Sequence, residues 1–315
     1  MESRAQKLIL LGFFGGLFCV PLLAEWTSTP FYLDLARRMM ILAIGALSLN
    51  LIMGYGGLIS FGHAAYIGIG AYTVGICAEH GLTNGFIQWP LAILISGAFA
   101  IVFGAISLRT RGVYFIMITL ALAQMMYFLG VSLDRYGGDD GLPLSERSNF
   151  QDLIDISNNI TLYYLVFLAL VLCLLFCHRL IHSRFGMVLQ GARSNEKRMQ
   201  GLGFPTLRYQ LTAFVIAGMM AGFAGALLAN HTDFINPDLM HWTRSGDLII
   251  MVLLGGMGSL AGPVIGALVF LLLEEVLSGI TEYWQLIFGP FLILVVLFAR
   301  GGLLGFFSKR GNQGE

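Results

Sequence analysis

Few side chains in this sequence are placed to do chemistry. His178 and His182 stand at i, i+4, a spacing that puts two imidazoles on one helix face as metal sites require. They lack the intervening Glu of a zinc protease motif, and Arg179 and Arg184 flank them, so basic anchors at a membrane interface are the better reading. No metal is expected. Cys19, Cys77, Cys173 and Cys177 all fall in apolar runs without zinc-site spacing and read as small buried hydrophobes. His63, Glu274 and Glu275 are ionisable groups inside apolar runs, where such residues are costly and mark function by default. Three scattered groups make a poor proton path. His63 is expected to bond exposed backbone beside a glycine break, and the two glutamates to reach the outer interface. No Gly-x-x-x-x-Gly-Lys-Ser/Thr occurs, and Gly-Lys itself is absent, so the chain carries no phosphate-cradling loop of that kind. No catalytic constellation is present, and no cofactor is expected. An enzyme is the weakest reading.

The elements that carry these residues are membrane helices. Of the 315 residues 57% are hydrophobic and only 11% charged, against roughly 45–50% and about 25% in an ordinary soluble domain. So few charges cannot cover a water-facing surface, and the mean hydropathy of +0.79 agrees. Apolar runs near 8–24, 36–54, 89–108, 111–131, 160–178, 209–229 and 284–300 suit a hydrocarbon core about 30 Å thick. Two more apolar regions, 52–78 and 245–280, are broken by glycine. The prediction is an all-α polytopic bundle of about ten spans. Arg4 and Lys7 before the run Leu8 to Ala24 imitate a signal peptide, but Pro21 to Glu25 fits a small-residue cut site poorly, so a retained first span is expected.

Charge placement sets the parity. With the N-terminus inside and ten crossings, the outer segments hold only Arg37, Arg38, Arg135, Arg147 and Arg244. The other 13 of the 18 Lys and Arg lie inside, which is the positive-inside pattern with both termini cytoplasmic. Most acids, including Asp34, the group between Asp134 and Asp155, Asp233, Asp238 and Asp247, fall outside. They either simply accumulate there or form a surface for a soluble partner.

The glycine-broken regions lie about 200 residues apart, in corresponding places of the two halves, which suggests an internal repeat. Each can be helix, turn and helix, or a pair of interrupted helices. Gly57, Ser60, Gly62 and His63 in the first, and Gly255, Gly256, Gly258 and Ser259 in the second, are candidates for a translocation pathway, because broken helices expose backbone groups. Close packing of small residues is the plainer alternative, and Gly218, Gly222 and Gly225 read that way. The longest inner segment, 179–208, predicts a short helix over 192–200 stopped by Gly201, Gly203 and Pro205, with Met199 and Leu202 on an apolar edge. Too short to be stable alone, it calls for a partner groove or a resting place at the headgroups.

Four separated motifs carry a resemblance. They are Ala192-Arg193-x-Asn195-Glu196 with Gly201-x-Gly203 and Ala221-Gly-Phe-Ala-Gly-Ala-Leu227; Leu58-x-Ser-Phe-Gly-His-Ala-Ala-Tyr66; Gly137-Gly138-Asp139-Asp140-Gly141-Leu142; and Leu254-Gly-Gly-Met-Gly-Ser-Leu-x-Gly-Pro263. In this order they resemble the permeases of branched-chain amino-acid ATP-binding-cassette (ABC) transporters, most closely the M-type (LivM-like) subunit. Residues 197–200, Lys-Arg-Met-Gln, depart from the small or apolar residues usual there. The resemblance implies one transmembrane permease domain over 1–315, in a bacterial inner membrane. Its 179–208 loop would dock on a cytoplasmic ATPase through Arg193, Asn195, Glu196, Gly201 and Gly203. It also implies a second homologous permease, two ATPase subunits and a periplasmic binding protein meeting outer loops such as 132–159, with Gly137, Gly138, Asp140 and Gly141. Nucleic acid is not an expected partner. Related permeases carry urea, short amides or aromatic acids, so the substrate stays open. An ion-coupled secondary transporter of small polar solutes is the competing class.

Overall fold

The computed structural model describes residues 12, 15–22, 30–144, 146–151, 155–298 and 302. The terminal segments whose cytoplasmic placement the charge pattern predicts lie outside these residues. Helices dominate. A helical stretch α1 (15–22) is followed by α2 (Pro30–Asn50), α3 (His63–Glu79), α4 (Gly85–Ser107), α5 (Val113–Val131), α6 (Asn159–Ile181), α7 (Arg184–Ser194), α8 (Glu196–Gly201), α9 (Thr206–Thr232), α10 (Trp242–Gly255), α11 (Gly262–Ser278) and α12 (Trp284–Phe298). The described strands are the residue pairs Leu142–Pro143 and Phe234–Ile235, which run antiparallel.

Among the described residues, five helices are long and apolar enough to cross a membrane: Phe31–Tyr55, Gly85–Ser107, Val113–Val131, Asn159–Ile181 and Thr206–Thr232. At 1.5 Å per residue, the 23 residues of α4 rise about 35 Å, more than the hydrocarbon thickness. The chain is an all-α polytopic membrane bundle. The 17-residue α3 rises only about 26 Å, and it is shielded, with most of its residues buried.

The bundle closes around α9. Ala217, Gly218, Ala221, Gly222, Ala224 and Gly225 are all buried on it. A β-carbon on Gly225 would run into the Ile67 carbonyl, one on Gly222 into Ser96, and one on Gly70 of α3 into the Gly222 backbone. Helices of this composition approach closely because lipid tails offer no hydrophobic drive, and association rests on packing at short range.

Both glycine-broken regions are helix, turn, helix. In the first, α2 ends in a π-helical turn over Leu51–Tyr55, and residues 57–60 leave the helix before α3 begins at His63. In the second, residues 256–261 separate α10 from α11. Gly57 (φ 73°), Gly256 (φ 114°) and Gly258 (φ 78°) occupy backbone conformations that a β-carbon disfavours, which is why glycine breaks these helices.

Candidate functional site

One end of the bundle gathers the two glycine turns, the 108–112 connection and the 184–205 segment. Asn50, in the last turn of α2, joins the glycine turns. Its Nδ2 donates to the Ser259 carbonyl at 2.9 Å, and its Oδ1 accepts from the Gly258 amide at 3.1 Å. A lone amide in the apolar run 36–54 was the available signal, since a buried side-chain amide must find partners.

The turns are tied off by side chains. Gly62 donates to Ser60 Oγ at 3.3 Å, Phe61 to Thr119 Oγ1 at 3.2 Å, and Ala64 to Ser245 Oγ of α10 at 2.9 Å. Ser259 Oγ donates to the Gly256 carbonyl and accepts from the Gly262 amide, both at 3.0 Å. The amides that open α3 therefore have partners inside the fold. Ser60 and His63 are fully buried. His63 Nε2 meets Ser48 Oγ at 2.7 Å, so its partner is a side chain on α2 and not exposed backbone. Tyr66 packs edge-on against the His63 ring.

The predicted single helix over 192–200 is two helices. Asn195 is extended (φ −158°, ψ 97°), ending α7 and capping α8, with its Oδ1 accepting from the Arg198 amide at 2.9 Å. Asparagine competes for backbone donors better than it propagates a helix, which accounts for the break. Arg193 then points back into the bundle, where Nη1 donates to the Gly54 carbonyl. A β-carbon on Gly57 would press on Arg193 Cγ at 2.9 Å, so glycine there makes room for the arginine stem. Glu196 pairs with Arg111 at 3.1 Å and accepts from Thr206 Oγ1 at 3.1 Å and Gln200 Nε2 at 3.2 Å. Gly203 (φ 89°) turns the chain into α9, while a β-carbon on Gly201 would meet nothing. Met187, Leu202 and Leu207 are exposed on this surface, whereas Met199 folds back on Gly191. A cavity of about 320 Å³ lies between Gly57, Arg111, Arg193 and Glu196.

The opposite end is laced by polar contacts. Gly137 (φ 90°), Gly138 (φ 51°) and Gly141 (φ 85°) turn the loop after α5, while Asp140 is exposed. Leu142 pairs with Ile235 across the two short strands. Arg147 grips Asp233 with two bonds, at 3.0 and 2.9 Å, and Ser148 donates its amide to Asn230 Oδ1 at 2.7 Å. Four of the five arginines that the charge count places outside, all but Arg135, pair with an acid among the described residues. Arg37 is buried against Asp34 and Asn159, Arg38 pairs with Glu274 at 3.5 Å, and Arg244 with Asp247 at 3.5 Å. Glu274 thus answers an arginine rather than the interface. The last two pairs line a second cavity, of about 270 Å³, whose other walls are mainly apolar side chains such as Leu42, Leu228 and Leu248, with Thr232 and Asn236 as uncharged polar neighbours. None of the glycine-turn residues named from the sequence borders it. The charged groups that do were missed because they come from three helices far apart in sequence. His178 near the end of α6 and His182 at its C-cap are exposed, with ring centroids 4.3 Å apart.

Comparison with known proteins agrees along nearly the whole chain. The family described as branched-chain amino acid transport system, permease component, matches residues 31–297. The high-affinity branched-chain amino acid transport system permease protein LivM of Salmonella typhimurium is 30% identical over 316 aligned residues, spanning 91% of this chain and 74% of that protein. LivM of Escherichia coli K12 matches with the same identity and coverage. The permease protein LivH of Salmonella typhimurium is 26% identical over 283 residues, spanning 84% of this chain and 91% of LivH. No solved structure matches.

Proposed function

This chain belongs to the branched-chain amino-acid transport permease family, and from that premise we propose that it forms half of the translocation pathway of an ABC importer for branched-chain amino acids. A second, homologous permease completes the pathway, two cytoplasmic ATPases drive it, and a periplasmic binding protein delivers substrate to the outer loops around 132–159. The termini and the 179–208 loop face the cytoplasm, a placement supported by the charge asymmetry.

The observation that carries this reading is the contact between Arg193 and the Gly54 carbonyl. The loop that a cytoplasmic ATPase would grip is bonded to the first glycine turn, and Asn50 bonds that segment to the second. A push on α7 and α8 then reaches both turns without passing through a flexible linker. Arg193, Asn195, Glu196, Gly201 and Gly203 are the coupling residues: Asn195 sets the angle between the two helices, Glu196 holds them to Arg111 and Thr206, and Gly203 turns the chain into α9. Gly57, Ser60, Gly62, His63, Gly255, Gly256, Gly258 and Ser259 form the inner closure of the pathway, which opens as the helix pairs α2–α3 and α10–α11 rock as rigid bodies.

Uptake in proteoliposomes tests the function. The expected result is accumulation of leucine that requires internal ATP, the partner subunits and the binding protein, and persists without a proton gradient. Uptake that follows a proton gradient and ignores ATP refutes it and favours an ion-coupled carrier. Glu196→Gln tests the coupling: the complex folds, but ATP turnover no longer drives uptake. Full ATP-dependent uptake by this variant removes Glu196 from the coupling set.

A further inference from the structure

The outer cavity between α2, α9, α10 and α11 holds two arginines and two carboxylates, a net charge of zero, in a chamber whose remaining lining is apolar apart from Thr232 and Asn236. The pairs are partly accessible, with the Arg38 and Arg244 side chains 40% and 53% exposed, so a ligand can reach them from the open side of the cavity. A structural pair closes tightly. Arg147 and Asp233 do so, with two bonds at 3.0 and 2.9 Å. The cavity pairs do not. Arg38 to Glu274 and Arg244 to Asp247 both stand at 3.5 Å, beyond the roughly 2.7–2.9 Å of a well-made charge-assisted bond. Asp247 also feels Arg38 and Glu274 through space, so the four groups form one electrostatic unit. Two loosely made pairs can exchange partners with a ligand that brings one charge of each sign.

The geometry points to this cavity as a transient subsite for a zwitterionic amino acid with an aliphatic side chain. Arg38 and Arg244 take the carboxylate, Glu274 and Asp247 take the ammonium group, and Leu42, Leu248 and Met251 receive the side chain. At about 270 Å³ the space falls just under the roughly 300–1,000 Å³ of drug-sized pockets, which suits a small solute. A neutral sugar or urea would leave the four charges to each other and gain little from the apolar wall. The site stands at the outer end of the helix pairs, where an acceptor for substrate leaving the binding protein is needed. This inference rests on the import reading above and adds the binding groups to it.

The test is equilibrium binding of radiolabelled leucine to the assembled transporter in lipid nanodiscs without its binding protein. Saturable leucine binding is expected. 4-Methylpentanoate, which lacks the amine, and isopentylamine, which lacks the carboxylate, should compete at least about tenfold less well, the loss of one charge-assisted contact. Arg38→Gln and Glu274→Gln should each weaken leucine binding by a similar factor, with assembly checked by gel filtration. If a variant fails to assemble, the competition series on the unaltered protein decides. ATP-driven leucine uptake without saturable binding, or single-charge analogues competing as well as leucine, overturns the subsite and leaves the import reading standing. Absence of ATP-driven leucine uptake in the complete system overturns both.

Discussion

The bridge made by Asn50 is the contact whose removal has the clearest consequence. Replacing Asn50 by Leu keeps the size of the side chain and deletes both hydrogen bonds, to the Ser259 carbonyl and the Gly258 amide. Asn50 itself is fully buried, while Gly258 and Ser259 are partly accessible, so water can recover some of what they lose. Each bond then contributes about 1–2 kcal/mol, between the net value of an ordinary hydrogen bond and the penalty of an orphaned buried group. The total is roughly 2–4 kcal/mol. At about 2 °C per kcal/mol for a chain of this length, the thermal transition in nanodiscs should fall by roughly 4–8 °C. Asn50→Asp is the sharper control. It can still accept from Gly258 but cannot donate to Ser259, and it buries a charge, so it should destabilise more than Leu. Uptake should fall in both variants even where the protein stays folded, because the second glycine turn loses one or both of its bonds to the first. A shift under about 1 °C for Asn50→Leu with normal uptake would show that the two turns are held by something else, and the proposed transmission from Arg193 would lose its second link.

Three further outcomes follow from the packing. Gly70→Ala places a β-carbon on the Gly222 backbone and should cost about 1–3 kcal/mol through overpacking, seen as a lower thermal transition and reduced yield of monodisperse protein. Ser48→Ala leaves His63 Nε2 without its 2.7 Å partner when Nδ1 already has none among the described residues. That should destabilise by about 1–3 kcal/mol, and Ser48→Thr, which restores the hydroxyl, should recover part of it in the same melt. Arg147→Ala breaks a bidentate, partly exposed grip on Asp233 and should cost about 0.5–1.5 kcal/mol, with faster hydrogen exchange in the 137–151 loop than in α9 as the local signature.

The sequence alone determined that the chain lives in a membrane and where its helices break, because both depend on local composition. Apolar runs of span length have one stable environment, and Gly57, Gly256 and Gly258 take backbone angles that no other residue adopts cheaply. It also marked the segment 192–205, since Gly201, Gly203 and Pro205 are local stop signals, although it did not show that Asn195 splits the helix there. Asn50 stood in the sequence as a lone amide and Ser245 among the polar residues that open α10, but nothing local says that one spans two turns 208 residues apart or that the other caps α3. The arginines at 37 and 38 looked like exceptions to the charge pattern until the fold set Asp34 and Glu274 beside them. The cavity lined by Arg38, Arg244, Asp247 and Glu274 has the same origin. Its four charges come from α2, α10 and α11, and only the packing of those helices, fixed by the small residues between them, makes them a single site.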